Sequence, residues 1–285
     1  MNPKGRGDRN GGSPDGGTPA SLAAAAAPFH DIVGAQRHFR AWLLEAALPL
    51  WWTVGADHDG GGFLEALDAE GRPALLSAPR RARVQARQTF VYATAAALGW
   101  DGPWRQAARH GLDFLTSRYL RGPGAVAKSV SPDGTPGDDS LMLYEQAFAI
   151  LALSAVAQVE PDAGEVRDLA QRFREALSAR LRLGGYLEGG AHPHQANAQM
   201  HLLEAALAWE DVGQAEWRGV SDAIVRLALT RFIDPDRGVL REFFDPRWRP
   251  APGESGRLVE PGHQFEWAWL LDLWARRRGE PEAGA

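Results

Sequence analysis

Cysteine is absent from this sequence of 285 residues. Thiol catalysis, disulfide bonds and thiolate metal ligands are therefore excluded, because each of them requires the cysteine sulfur. Lysine is almost absent as well, since Lys4 and Lys128 are the only two. The net charge is −5 and the basic residues form no stripe, which argues against a nucleic acid partner.

Long apolar runs are also missing. No stretch approaches the roughly 18 uninterrupted apolar residues of a membrane-spanning helix, so we expect no membrane partner.

Residues 1 to 28 are rich in Gly, Pro, Asp and Ala without apolar periodicity, and we interpret them as a disordered tail. Their alanine-rich end is too weakly apolar for a secretory signal, which predicts a cytoplasmic protein. Residues 29 to 285 have enough apolar content for one large domain.

Apolar residues recur with helical spacing over most of this domain. Eight helices are predicted, over residues 29–52, 83–98, 104–119, 140–159, 164–179, 197–209, 215–232 and 262–276. The segment from Asp59 to Pro73 is rich in turn residues, which is typical of a small β-hairpin near residues 60–75. The chain is therefore predicted to be all-α with one minor β excursion.

Polar residues suited to chemistry open every second predicted helix. They are Arg83, Tyr144, His201 and His263, which are 61, 57 and 62 residues apart. A repeat of about sixty residues built as a helical hairpin is typical of a closed or open helical array, because one pair of helices cannot bury its apolar face alone. If alternate helices form an inner ring, the four side chains converge on one cavity.

The segment from Glu260 to Trp267 contains a possible acid/base pair. His263 and Glu266 are three residues apart in the first turn of the last predicted helix, and so share one face. A carboxylate in that position can orient an imidazole or raise its pKa. The alternative is structural, with a glutamate that complements the helix dipole and a histidine that only caps the helix.

Two further segments carry candidate groups. Arg83 and Arg87 are one helical turn apart, and arginine suits an oxyanion or a polarised sugar oxygen because it stays charged and forks its donors. A solvated basic face is the alternative. Asn197 is predicted to cap the helix that carries His201, with Glu204 three residues beyond the histidine. A core histidine is the alternative there.

Other chemistries fit the pattern less well. Helical di-iron sites use the order Glu-x-x-His, whereas this chain has His-x-x-Glu, and Arg83 would be a poor neighbour for a dication, so no metal is predicted. A glycosidase needs two carboxylates beside the bond that is cut, and Glu145, Glu204 and Glu266 each have a basic counterpart that this reaction does not require. An arginine with two histidines and a glutamate fits proton transfer next to a carbonyl, where each positioned acid or base contributes about 10²–10⁴ in rate.

Six motifs follow one another across residues 29 to 276. They are Gly62-Phe63 with Leu67 to Gly71, Arg83 to Gln88, Leu143 to Phe148, Asn197 to Ala205, Leu240 to Asp245, and Glu260 to Trp267. In this order the motifs resemble those of the N-acylglucosamine 2-epimerase family, which includes mannose isomerases and cellobiose 2-epimerases.

The resemblance implies an (α/α)6 barrel, of which this chain holds about eight of twelve helices. It also implies C2 epimerisation or aldose–ketose isomerisation through an enediol, without a metal or other cofactor. By resemblance, Arg83 corresponds to the arginine that holds the substrate oxygens, and Asn197 and His201 correspond to substrate-binding and ring-opening positions. His263 with Glu266 corresponds to a catalytic acid/base and its partner. Tyr144 corresponds to a pocket position.

The resemblance departs from the family pattern near the end of the chain. The family's second catalytic histidine comes from a later inner helix, whereas this sequence stops at Ala285. We therefore expect either a fragment or a barrel that is completed in trans. An open array would expose an apolar seam, which predicts homo-oligomerisation through that seam.

Two hypotheses about function follow. The first is a sugar isomerase or epimerase that acts at C2 of a mannose- or N-acylglucosamine-type monosaccharide. The forms of Arg83 to Gln88 and Gly262 to Trp267 are most similar to those of the mannose isomerase branch. The second is a catalytically impaired fragment that binds only carbohydrate or a protein partner.

Overall fold

The computed structural model describes residues 31–160, 162–182 and 184–279. The predicted tail, residues 1 to 28, lies outside the described residues. Contacts between Cα atoms divide the chain into two units, Met1–Leu43 and Leu44–Ala285. All the elements of the candidate site belong to the second unit.

The described chain is mostly helical. Its α-helices are α1 Ile32–Ala41, α2 Leu48–Leu50, α3 Ala82–Ala95, α4 Trp104–Phe114, α5 Leu143–Val159, α6 Gly164–Ser178, α7 Ala196–Asp211, α8 Arg218–Leu227 and α9 Pro261–Arg278. Short π-helical segments cover Trp42–Ala47, Trp51–Gly55, Leu115–Tyr119 and Ala228–Phe232, and 3₁₀ turns cover Ala215–Trp217 and Ser255–Arg257. Within the described residues each of the eight predicted helices is confirmed, and their ends differ from the prediction by a few residues.

Alternate helices form two layers. Helices α3, α5, α7 and α9 pack side by side in chain order, and we call them the inner helices. Helices α4, α6 and α8, the outer helices, each pack against the inner helix that precedes them. The repeat predicted from the sequence, one helical hairpin for each unit, is the repeat that the structure contains.

The two layers differ in sequence because they differ in surroundings. Helix α5 contacts helices on three sides, and its residues from Glu145 to Ala157 are all buried. A helix that is apolar on all sides can be stable in water only when it is buried in this way. The outer helix α8 buries one stripe instead, which includes Val220, Ile224 and Leu227.

Short antiparallel strand pairs lie in the connections. They are β1 Ala66–Leu67 with β2 Pro73–Ala74, β3 Arg80–Arg81 with β6 Ser129–Val130, β4 Leu120–Arg121 with β5 Ala125–Val126, and β7 Leu181–Arg182 with β8 Gly185–Tyr186. The β1–β2 pair confirms the predicted hairpin near residues 60–75. The other three pairs lie outside the segment for which the sequence predicted strands.

One glutamine in each inner helix fastens the helix to the loop that precedes it. The fourth residue of each inner helix is Gln85, Gln146, Gln199 or Gln264. Each side-chain amide accepts a hydrogen bond from a backbone N–H and donates one to the C=O of that same residue, and the four partners are Phe63, Val126, Tyr186 and Leu240. We call this pair of bonds the glutamine clamp.

Three of the four clamps are buried, so water cannot replace their hydrogen bonds. Gln85, Gln146 and Gln199 are at most 2% exposed. In the clamp of Gln146, the Oε1–N and Nε2–O distances to Val126 are 2.7 and 2.8 Å. Without the amide, a buried donor and a buried acceptor of the loop would both lose their partners, and each such loss costs about 1–3 kcal/mol.

Helix α9 has one face that is open to solvent. Phe265 is 79% exposed and Trp269 is 55% exposed, while Trp267 and Leu270 on the other side are buried. Such a face agrees with the apolar seam expected from the sequence, and oligomerisation through it stays a prediction.

Among the described residues, the helices are all too short or too polar to cross a lipid bilayer.

The glutamine clamp generates a prediction about stability. Gln146→Leu keeps the volume of the side chain but leaves both polar groups of Val126 unpaired, so the free energy of unfolding should fall by about 2–5 kcal/mol. Gln171→Leu, on the outer helix α6, should change it by less than about 0.5 kcal/mol. Urea unfolding of both variants measures the difference, and equal stability of the two would contradict the role of the clamp.

Candidate functional site

The starts of the inner helices carry the predicted site residues, but at different depths. The second residues of the four helices are Arg83, Tyr144, Asn197 and Gly262, and the sixth residues, one turn further, are Arg87, Phe148, His201 and Glu266. The spacing used for the sequence prediction therefore mixed two levels, because His201 lies one turn deeper than Arg83 and Tyr144. Counted from clamp to clamp, the repeat is 61, 53 and 65 residues.

A cation, a phenol and an imidazole meet between α3, α5 and α7. Arg87 Nη2 donates a hydrogen bond to the Tyr144 hydroxyl at 2.9 Å, and its guanidinium carbon lies 4.0 Å from the centroid of the Phe148 ring. The His201 ring packs against both aromatic residues, with centroids 5.0 Å from Tyr144 and 4.6 Å from Phe148. Three helices thus position one cluster, which we call the arginine–tyrosine–histidine cluster.

His201 has the carboxylate neighbour that its spacing predicts. Its Nδ1 atom lies 3.3 Å from Glu204 Oε2, one turn along the same helix. The side chain is only 12% exposed, so it is neither a surface group nor fully enclosed in the core. This position allows the ring to be oriented by Glu204 while it faces Tyr144.

Arg83 is engaged differently from Arg87. Its backbone N–H donates to Glu145 Oε2 at 2.7 Å, and its Nε atom lies 3.4 Å from Glu145 Oε1 without the alignment of a hydrogen bond. The charge of Arg83 is therefore largely balanced by a buried carboxylate. Arg87 forms no ion pair with the part of the chain that the structure describes, which makes it the more available cation.

Asn197 does not cap α7, and that prediction is wrong. The cap position is Gln195, whose backbone is extended because it forms a bridge with Phe243, and Asn197 is the second residue of the helix. The amide N–H of Ala196 donates to the backbone carbonyl of Glu242 instead. The Oδ1 atom of Asn197 is buried and has no partner among the described residues.

A cavity of about 280 Å³ lies at the starts of α3, α5 and α7. It is lined by Arg83, Lys128, Met142, Tyr144, Glu145, Glu188, Gln195 and Asn197. Its volume is slightly below the range of about 300–1,000 Å³ that is usual for small-molecule sites. The structure therefore brings three predicted site residues, Arg83, Tyr144 and Asn197, to one cavity.

His263 has a different carboxylate partner from the one expected. Its Nδ1 atom lies 3.0 Å from Oε1 of Glu242, which is buried in the loop before α9. Glu266 is exposed and forms no hydrogen bond or ion pair with His263 in the described ranges, although both residues belong to α9. The expected pairing of His263 with Glu266 is thus replaced by a pairing across the loop, because the loop returns against the start of the helix.

Sequence reasoning missed two carboxylates, Glu188 and Glu242. Burial raises the pKa of Glu242, although the hydrogen bond with His263 acts in the opposite direction. Burial also raises the pKa of Glu188 to about 7, although its carboxylate accepts a hydrogen bond from the Tyr144 amide. The available signal for Glu242 was an acidic residue directly before Phe243 and Phe244, and Glu188 similarly follows Tyr186 and Leu187.

No three His, Asp or Glu side chains in the described chain come close enough together to ligate one metal ion. The carboxylates at the site are instead used one at a time. Glu145 contacts Arg83, Glu188 contacts the amide of Tyr144, and Glu242 contacts His263. Each contact orients a candidate functional residue.

Solved structures share this arrangement of helices. A cellobiose 2-epimerase from Spirochaeta thermophila superposes with a TM-score of 0.76 at 25% identity, over 86% of this chain and 65% of that one. A structure of a D-mannose isomerase superposes with a TM-score of 0.75 at 22% identity, over 87% of this chain and 66% of that one. The fold is therefore of the (α/α)6-barrel type.

Sequence comparison identifies the family. Residues 61–283 match the profile of the family described as N-acylglucosamine 2-epimerase. A mannose-6-phosphate isomerase from Rhizobium meliloti is 46% identical over 250 residues, and a cellobiose 2-epimerase from Eubacterium cellulosolvens is 27% identical over 273 residues. The chain belongs to the N-acylglucosamine 2-epimerase family.

The alignments cover a larger share of this chain than of its relatives. They include 85% and 82% of this chain, but 64% of the length of each of these two relatives. The chain therefore spans slightly less than two thirds of the relatives that it matches.

The raised carboxyl pKa values predict how stability depends on pH. The folded protein holds the proton of Glu188 more tightly than the unfolded chain does, so unfolding free energy should fall as pH rises from about 4.5 to about 7. Measured between about pH 5.5 and pH 7.5, the decrease in unfolding free energy should be about 2 kcal/mol smaller in Glu188→Gln, because the amide does not titrate. Urea unfolding at both pH values tests this, and identical pH dependence of the two proteins would contradict it.

Proposed function

We propose that this chain transfers a proton at C2 of a mannose- or N-acylglucosamine-type monosaccharide, which yields either the C2 epimer or the ketose. The observation that carries the proposal is the arginine–tyrosine–histidine cluster of Arg87, Tyr144 and His201 at the starts of three neighbouring inner helices. Family membership supports it, as does the 46% identity to a mannose-6-phosphate isomerase.

His263 is the proposed acid/base. The bond between its Nδ1 atom and Glu242 orients the ring and leaves Nε2 to accept the proton from C2. Loss of that proton gives an enediolate, with a double bond between C1 and C2 and the negative charge on O1. Return of a proton to the opposite face of C2 gives the epimer. Delivery of a proton to C1, with transfer of the O2 proton to O1, gives the ketose.

Arg87 is the proposed partner of the enediolate oxygen. It carries a permanent charge and forms no ion pair with a described carboxylate, whereas Arg83 lies 3.4 Å from Glu145. A preorganised cation of this kind stabilises the charge that develops in the transition state. Arg83 therefore remains a candidate for binding a sugar hydroxyl rather than the enediolate. The reaction needs no metal or other cofactor, because the guanidinium supplies the positive charge.

The remaining predicted residues have supporting roles in this proposal. The unpaired Oδ1 atom of Asn197 can accept a hydrogen bond from a sugar hydroxyl, and the Tyr144 ring lines the same cavity. His201 is suited to open the sugar ring, because its imidazole can move a proton between the ring oxygen and the C1 hydroxyl. Glu266 is exposed one turn from His263, where it can exchange protons with the histidine through substrate or water.

Carbohydrate binding without turnover is the second candidate. The observation that favours it is the lining of the cavity, which includes Arg83, Tyr144 and Asn197 but not His263. The same cavity would then bind sugar, but C2 would keep its hydrogen.

Hydrogen exchange at C2 separates the two candidates. The full chain should introduce deuterium at C2 of mannose, mannose 6-phosphate or N-acetylmannosamine in heavy water, with the same rate after EDTA treatment. The His263→Asn variant should lose this exchange, because its amide cannot act as a base near neutral pH. Proton NMR of the sugars measures the exchange. Absence of exchange with every sugar would refute the proposed enzymatic activity, and inhibition by EDTA would refute the metal-independent reaction.

The two arginines should differ in kinetics. Arg87→Gln should lower kcat/KM by about 10²–10³, because it removes charge stabilisation from the transition state. Arg83→Gln should have a smaller effect on kcat/KM and a larger effect on stability, because it leaves Glu145 buried without a counter-charge. Steady-state kinetics and urea unfolding of both variants make the comparison. A larger kinetic loss in the Arg83 variant would reverse the assignment.

A further inference from the structure

Glu188 is a buried carboxylate that the proposed reaction leaves unused. It follows strand β8, is 4% exposed and lines the cavity at the starts of the inner helices. Its Oε2 atom accepts a hydrogen bond from the backbone amide of Tyr144 at 2.9 Å. Its own amide donates to the carbonyl of Pro193 at 2.9 Å, which fixes the loop on its other side.

The contact with Tyr144 satisfies a group that the helix itself leaves unpaired. Tyr144 is the second residue of α5, and the first N–H groups of a helix have no partner within the helix. The residue at the cap position, Met142, has no side-chain acceptor to offer. A carboxylate also complements the positive end of the helix dipole, so Glu188 serves this helix start in two ways.

Tyr144 is consequently held at two points. Its amide is bound by Glu188, and its hydroxyl accepts the hydrogen bond from Arg87 at 2.9 Å. The ring between these points makes an edge contact with His201. A shift of the Tyr144 backbone would therefore move the phenol and disturb both of its partners in the cluster.

A second connection holds Glu188 in place. Arg180 donates hydrogen bonds to the carbonyl of Leu187, at 3.0 and 2.8 Å, and to the carbonyl of Leu141. Leu187 directly precedes Glu188, and Leu141 lies just before α5. One guanidinium thus joins the loop of Glu188 to the start of the helix that Glu188 caps.

We propose that Glu188 is a positioning residue, which fixes Tyr144 through its backbone so that the phenol, Arg87 and His201 present one preformed surface to the sugar. The kinetic consequence of this inference rests on the proposed function. A preformed surface reduces the ordering cost that a substrate must meet on binding, so loss of Glu188 should weaken binding more than it slows chemistry. The contact itself can be tested without turnover.

Kinetics provide the first test. Glu188→Ala should raise KM by about 10-fold and change kcat by less than about threefold, because it affects binding of the ground state and the transition state alike. Glu188→Gln should restore KM to within about threefold, since its amide oxygen can accept the same hydrogen bond.

Glu160→Gln is the matched control, because it removes a partly buried ion pair with Arg109 at the opposite end of α5. It should lower stability without changing KM. A KM for Glu188→Ala equal to that of the control would overturn the proposal. So would failure of Glu188→Gln to restore KM.

Amide hydrogen exchange provides the second test and does not require activity. Exchange at the Tyr144 amide should be faster by about 10-fold or more in Glu188→Ala, but unchanged in Glu188→Gln and Glu160→Gln. If the unmodified chain turns over no sugar, the proposed function fails and this exchange rate alone decides whether Glu188 fixes Tyr144. Unchanged exchange in Glu188→Ala would overturn the proposal in either case.

Discussion

The glutamine clamp is the interaction on which the rest of this structure depends. Four side-chain amides, each at the fourth residue of an inner helix, bind both polar groups of one residue in the preceding loop. The four loop residues that the amides bind, Phe63, Val126, Tyr186 and Leu240, are all buried. By completing the bonding of the loop backbone there, the clamp lets the loop approach the helix start closely enough for its carboxylates to reach the site.

Those carboxylates connect each repeat with the next. Glu145, on α5, binds the amide of Arg83 on α3, and Glu188, just before α7, binds the amide of Tyr144 on α5. The carbonyl of Glu242, in the loop before α9, accepts a hydrogen bond from the Ala196 amide at the start of α7, and its carboxylate contacts His263. The starts of α3, α5 and α7 are therefore each completed by a group from the following repeat. The site is consequently a property of adjacent repeats rather than of any one helix.

The helices of this chain are predictable from sequence because their apolar spacing is a local signal. The pairs at the site are not local. His263 and Glu266 have the right spacing for a contact along the helix, yet Glu242 reaches the histidine because the loop returns. Asn197 has the right residue type for a cap, yet the bridge between Gln195 and Phe243 makes the helix begin earlier. The proposal of Arg87 rather than Arg83 as the partner of the enediolate oxygen likewise depends on Glu145, which is 62 residues from Arg83. Sequence thus indicated the residue types and the helices that carry them, while the partners follow from tertiary packing.

The clamp recognises only backbone, and its four partners have unrelated side chains: Phe63, Val126, Tyr186 and Leu240. The anchored position of each loop can therefore accept many residue types without losing its attachment, whereas the glutamine opposite it cannot be exchanged so freely. Loops held in this manner are free to diverge in length and composition around a fixed point. Such an attachment would allow the rim of the cavity to change for sugars of different size while the helices keep their positions.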